Sequence, residues 1–279
     1  MACCLALLTA VIALRGFQAL RATTMGAPCL WAAIAAVSLA IGFLIESRLE
    51  GITLSATRFA LATTAFCPLM AVLGAKRPQH RGWQWIVLSL WVILVWPAAQ
   101  AVVLPVGVRV ELFAAWKIFL WALIALGLLN YLPTRHWRAT ILVALGQILL
   151  LREYLDLPAA ESIPINDLVA VLCFLSAAAI IASVRLPSDP NQTFPTSDLS
   201  PLTARWFRFR NLYGAFWAMR IFGRMNLSAE QRSWPVRLDW SGFTCSTDAE
   251  PSPEQLTEIE RSLDSMLRRF LEEKTIPPQ

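Results

Sequence analysis

The chain is poor in charge, and the charge it has is almost devoid of lysine: 15% of its 279 residues are charged, three are Lys and two are His. Soluble domains carry about 25% charged residues, whereas here 57% of side chains are hydrophobic and mean hydropathy is +0.54. That balance excludes an ordinary soluble domain and defines the membrane class. No carboxylate stands in the middle of a long apolar run. This argues against proton- or cation-coupled transport through a central acid, because intramembrane acids are the usual carriers of that chemistry. H-E-x-x-H, G-x-S-x-G and P-loop patterns are absent, and with them the familiar routes to metalloprotease, serine hydrolase and nucleotide chemistry. Cys3, Cys4, Cys29, Cys67 and Cys173 lie in apolar runs and Cys245 in a polar stretch, with no C-x-x-C spacing. They read as small packing residues and not as a disulfide or metal framework. No catalytic, cofactor-binding or metal-ligating residue is assigned, and no cofactor is expected.

What the chain does have is long apolar runs. A bilayer core of about 30 Å needs roughly 20 apolar residues in a helix, and seven stretches approach that: 2–20, 28–45, 59–75, 83–104, 112–132, 137–154 and 165–184. The first is interrupted by Arg15, which is near enough to its end to snorkel, and the sixth is short. No basic residue precedes the first run and no A-x-A site follows it, so it reads as a retained span and not as a cleaved signal. The seventh contains no lysine, so a retinal Schiff base is not indicated.

The connections set an orientation, since cytoplasmic loops are enriched in Lys and Arg. Around the loops after spans one, three and five stand Arg15, Arg21, Lys76, Arg77, Arg81, Arg135 and Arg138, without an anion. The alternate connections hold Arg48, Arg58, Arg109 and Arg152 together with Glu46, Glu50, Glu111, Glu153, Asp156, Glu161 and Asp167. The expectation is an N-terminus outside and a C-terminal tail inside. Ala32, Ala36 and Ala40 form a row of small residues suited to close helix packing, and Ala178 and Ala182 repeat the idea. Within the spans the candidate polar site is Gln100, beyond Trp96-Pro97, with Lys117, for which Glu111 or Asp167 would be the partner. His80 and His136, each near Arg and Trp in a cytoplasmic turn, read as headgroup contacts. Gln147 reads as a satisfied core glutamine.

Residues 185–203 are rich in Pro, Ser, Thr and Asp and read as a linker. A cytoplasmic tail, 204–279, follows. Its segment RWFRFRNLYGAFWAMRIFGRM holds five arginines, and its longest arginine-free run, 211–219, is nine residues. At roughly 2.5 to 3.5 kcal/mol per central arginine it cannot span. A helix of about 210–225 places Leu212, Ala215, Phe216, Met219 and Phe222 on one arc and Arg210, Tyr213, Trp217, Arg220 and Arg224 on the other. That second strip is the candidate contact for anionic lipid headgroups or a protein partner; a nucleic acid partner is disfavoured by the membrane tether. Ser228 and Gln231 offer a capping-box start, and PVRLDW, 235–240, reads as one strand in need of a partner. Ser252-Pro-Glu-Gln starts an amphipathic helix of about 253–273, with Leu256, Ile259, Leu263, Met266 and Phe270 on its apolar side, Asp264 and Arg268 spaced as a pair, and the preceding basic helix as its packing surface.

The sequence therefore predicts an all-α polytopic membrane protein: seven transmembrane helices, N-terminus out and C-terminus in, then a small mainly helical cytoplasmic tail. The expected setting is a bacterial inner membrane. The leading functional expectation is a non-catalytic scaffold or complex component whose basic tail docks anionic lipid or a protein partner. The competing expectations are a small-solute transporter with a cavity near spans four and five, and an intramembrane enzyme of unfamiliar type. Single cysteines introduced into the loop around Glu161 and into the tail are expected to label from opposite sides of the membrane; labelling from one side would contradict the seven-span count.

Overall fold

In a computed structural model of the chain, residues 1–21, 23–76, 80–104, 107–157, 163–183, 199–245 and 250–270 are described. Among them the elements are α1 (Ala2–Leu20), α2 (Gly26–Ile45), α3 (Gly51–Thr63), α4 (Cys67–Leu73), α5 (His80–Val103), α6 (Ala114–Tyr131), α7 (Trp137–Leu151), α8 (Ile163–Ser183), α9 (Ser200–Gln231), β1 (Val236–Asp239), β2 (Gly242–Cys245) and α10 (Pro253–Leu267). Most of the expected linker, and the end of the last expected helix beyond Phe270, lie outside the described residues.

Six helical segments are long and apolar enough to cross a membrane, and α7 is a shorter apolar helix. Its 15 residues span about 22 Å at 1.5 Å per residue, less than a bilayer core. The third segment begins at Gly51, eight residues before the position expected from hydropathy, and is the joined pair α3 and α4. It breaks between them because Pro68 has no N–H to donate, and the Thr63 and Thr64 hydroxyls return to the Ala60 and Leu61 carbonyls at 2.8 and 2.6 Å. Hydropathy missed its first turns because Ser55 and Arg58 stand there. Both have partners: Ser55 Oγ accepts from the Val110 N–H at 3.1 Å and its carbonyl from the Tyr154 hydroxyl at 2.7 Å. Arg58 is ion-paired to Glu46, with Asp167 at 3.9 Å.

These contacts gather one set of helix ends. At the opposite ends the first loop, the end of α4 and the end of α6 all meet the tail. Met25, Val72 and Ala75 belong to the same buried cluster as Trp206, Phe209, Tyr213 and Trp217 of α9 and Ile259, Leu263 and Phe270 after it.

The tail helix begins at Ser200 and not near Arg210, and residues 205–209, expected as a frayed lead-in, are helical. One buried stripe runs its length: Leu202, Trp206, Phe209 and Tyr213 before Gly214, and Trp217, Ile221, Met225 and Ala229 after it. Gly214 itself adopts φ 76°, ψ −178°, a region open essentially to glycine alone. Ser228 is interior to α9 and starts no new helix. The strand at Val236 finds its partner within the chain, pairing antiparallel with β2 in the register Val236 with Cys245 and Asp239 with Gly242. Asn226 clamps it, donating to the Leu238 carbonyl at 2.9 Å and accepting from the Leu238 N–H at 2.8 Å. The fold is thus all-α apart from this hairpin. Helix α10 starts at the Ser252–Gln255 capping box and packs on α9. Its Asp264 meets Arg205 of α9 at 3.1 Å, and Glu260 meets the same guanidinium at 2.8 Å.

A Cβ at position 214 would overlap the Asn130 side chain as well as demand a positive φ. Gly214→Ala is expected to cost at least about 2 kcal/mol and to expose the tail to limited proteolysis before the helical bundle melts; unchanged proteolysis and melting would contradict this.

Candidate functional site

The place where α9 crosses the end of α6 is built around that glycine. In an unbroken helix the Phe216 N–H would donate to the Leu212 carbonyl, four residues back. The break at Gly214 separates them, and consecutive residues of α6 take their places: Phe216 N–H donates to Asn130 Oδ1 at 2.9 Å, and the Tyr131 hydroxyl donates to the Leu212 carbonyl at 3.1 Å. Asn211 Oδ1 accepts from the Arg135 N–H at 3.3 Å. An unmade buried hydrogen bond costs about 1–3 kcal/mol, so the kink is tolerable only in this register.

Around it, the candidate lipid strip divides. Tyr213 and Trp217 are 3% and 5% exposed, which removes them from any external contact. Trp217 Nε1 donates to the Val72 carbonyl at 2.9 Å. The Tyr213 hydroxyl, the Thr24 hydroxyl and the Thr24 N–H all donate to the Phe270 carbonyl, at 2.9, 3.2 and 3.1 Å. The Phe270 ring packs against Phe209, Tyr213 and Trp217 at 4.9, 4.9 and 5.2 Å. Burial raises the Tyr213 hydroxyl to a pKa of about 12. Arg210 is half-buried, hydrogen-bonded to the Trp240 carbonyl and stacked 4.6 Å over Phe207 and 5.0 Å over Trp240. Arg220 and Arg224 remain exposed, Arg220 lying 5.0 Å over Phe216 and 5.2 Å over Trp217.

The expected apolar arc divides too: Leu212 and Phe222 pack half-buried against the tail cluster, and two of its residues turn outward. Phe216 is 40% and Met219 56% exposed, close to the last turn of α6, where Leu129 and Leu132 are 67% and 46% exposed. The sequence could not assign these faces, because aromatic rings beside arginine suit a polar strip and a guanidinium-covered core equally well.

The two expected intramembrane polar residues do not meet. Gln100 is exposed near the end of α5, and Lys117 is ion-paired to Asp156, not to Glu111 or Asp167. Neither lines the larger cavity between the helices. That cavity, about 330 Å³, is lined by residues of α1, α2, α4, α6, α7 and α8, with Asn211 and Leu212 of α9 at one end. Ala32 and Ala36 of the small-residue row, and Ala178, line it. Its polar rim is mostly committed: Gln147 donates to the Ala65 carbonyl at 3.0 Å, Thr9 to Leu5 at 2.9 Å and Thr140 to His136 at 3.0 Å. His136 Nδ1 is buried without a partner. Desolvation, then the neighbouring Arg135, holds the His136 pKa below its usual value. The His80 side chain lies outside the described residues. Among the described residues no three His, Cys, Asp or Glu side chains converge on a possible metal position.

By fold the chain is an all-α protein, with six helices among the described residues long and apolar enough to cross a membrane. No protein-family model, curated protein or solved structure matches it.

His136 binds its proton less readily when folded than when unfolded, so its contribution to stability is present above about pH 6.5 and is lost as pH falls from there toward its folded value. The full chain is therefore expected to melt lower at pH 5.5 than at pH 7.5, with the difference reduced in His136→Phe; an equal slope in the variant would remove His136 from the effect.

Proposed function

We propose that the chain is a non-catalytic scaffold or complex component of a bacterial inner membrane, crossing seven times with α7 as the short crossing and with its tail seated at the cytoplasmic surface against anionic lipid. The observation that carries the lipid contact is the outward pair Phe216 and Met219, 40% and 56% exposed beside the exposed leucines that end α6. Apolar side chains at that level enter the headgroup layer, and Arg220 and Arg224 on the same exposed side supply cations for phosphate. The contact surface is thus narrower than the strip expected from sequence: Arg220 and Arg224 are retained, Phe216 and Met219 replace Tyr213 and Trp217, and Arg210 serves the hairpin. The orientation is supported by charge. The tail meets the loop ends that hold Arg21, Arg135 and Arg138, whereas Glu46, Asp156 and Asp167 cluster with Arg58 and Lys117 at the far ends.

With native cysteines replaced, spin labels at positions 216 and 219 of the full chain in nanodiscs are expected to be more accessible to oxygen than to an aqueous nickel chelate. Arg220→Gln with Arg224→Gln is expected to lower co-purifying anionic lipid several-fold. Labels exposed to the aqueous reagent, or protected from both by a co-purifying protein, would contradict the lipid reading.

A further inference from the structure

The ring of helices encloses a volume that the proposed surface role does not use. The cavity of about 330 Å³ is roughly twice the size of the apolar cavity that stays dry and takes up benzene in another protein. It lies between helices that neighbour one another, α1 with α2, α2 with α4, α6 with α7, α7 with α8 and α8 with α1, with Gly127 of α6 facing Leu69 of α4; it is partly open between them, and α5 does not line it. It persists because alanines and one glycine, among them Ala32, Ala36, Ala139 and Gly127, stand where longer side chains would meet across the middle.

The polarity of the chamber is uneven. Its walls toward α1, α2 and α8 are mostly carbon, and the side chains of Thr9 on α1 and Gln147 on α7 donate to backbone carbonyls. Tyr131, His136 and Asn211 gather at the end closed by the tail helix. The Tyr131 hydroxyl is spent on the Leu212 carbonyl at 3.1 Å. His136 Nδ1 is left buried and unpaired, and a buried polar atom of that kind calls for a partner. A hydrated ion or a polar solute would find one such atom and no other support. A ligand with an apolar body and a single hydrogen-bonding end satisfies both parts of the chamber.

We propose that this cavity binds a single long apolar chain, acyl or prenyl, ending in one hydroxyl or carboxyl group that hydrogen-bonds to His136 beneath the tail helix. Binding buries the chain among the small residues of the ring and supplies the missing partner at the tail-side end. Specificity follows from the shape: one chain is admitted and a two-chain phospholipid is not.

The test uses the full chain in nanodiscs of defined phospholipid, with diazirine-bearing hexadecanoic acid, hexadecanol, a prenol and a headless alkane as photoprobes. The expected result is saturable labelling of peptides around Ala36 and Ala139 by at least one headed probe, abolished by excess unlabelled compound and several-fold above the alkane. The acid, alcohol and prenol arms identify the source of the chain. His136→Phe is expected to erase the preference for a headed probe, and Ala36→Leu with Ala139→Leu to cut labelling at least tenfold. Should the double variant fail to fold, competition on the native chain decides. Labelling that does not saturate, or that falls equally on the exposed residues Ile118 and Leu129, would overturn the proposal. So would headed probes labelling no more than the alkane, while leaving the lipid contact of Phe216 and Met219 untouched.

Discussion

The break in α9 at Gly214 governs how the two parts of this molecule fit together. Helix α9 surrenders the pairing of Phe216 N–H with the Leu212 carbonyl at Gly214, and Asn130 and Tyr131 at the end of α6 take up the two released groups. The exchange is register-specific, since a one-residue slip would bring neither side chain to its partner. It fixes the rotation of α9 on both sides of the kink. With that rotation set, Tyr213 and Trp217 turn toward Phe270, Thr24 and the end of α4, and Phe216 and Met219 turn out. The tail's core is therefore shared with the first, third and fifth loops of the bundle.

The charges follow the same division. At the far ends two cations are held by carboxylates: Arg58 by Glu46 and Asp167, Lys117 by Asp156. Pairing of this kind lowers the cost of ionised groups near lipid and leaves little net charge to offer there. At the tail end Arg220 and Arg224 stay exposed, whereas Arg205 is tied to Glu260 and Asp264. The acidic last helix thus neutralises the beginning of α9 and leaves its later turns basic.

Much of this was legible in the sequence, and the rest was hidden for identifiable reasons. Apolar run length located the membrane-type helices, and Ser252, Pro253 and Gln255 located the start of α10, because these signals are local. The beginning of the third segment was invisible because Arg58 and Ser55 are unfavourable until Glu46, Asp167, Val110 and Tyr154 are brought to them. The strip of α9 was assigned outward because Tyr213 and Trp217 share an arc with Arg210, Arg220 and Arg224, and that arc proves to be the one that Trp206, Phe209 and Ile221 bury. The cavity was sought beside the wrong residues: of the two spans expected to flank it only the fifth, α6, lines it, and Gln100 and Lys117 drew attention as polar residues in apolar runs, while the alanines that make the chamber look like any packing row.

The central claim is that α6 completes the broken helix. Hydrogen exchange at the Phe216 amide of the full chain measures it directly. The account predicts protection comparable to the helical amides of α9 despite the exposed side chain, and its loss in Asn130→Ala. Exchange at the rate of an unpaired, solvated amide in the native chain, or protection unchanged by Asn130→Ala, would contradict it.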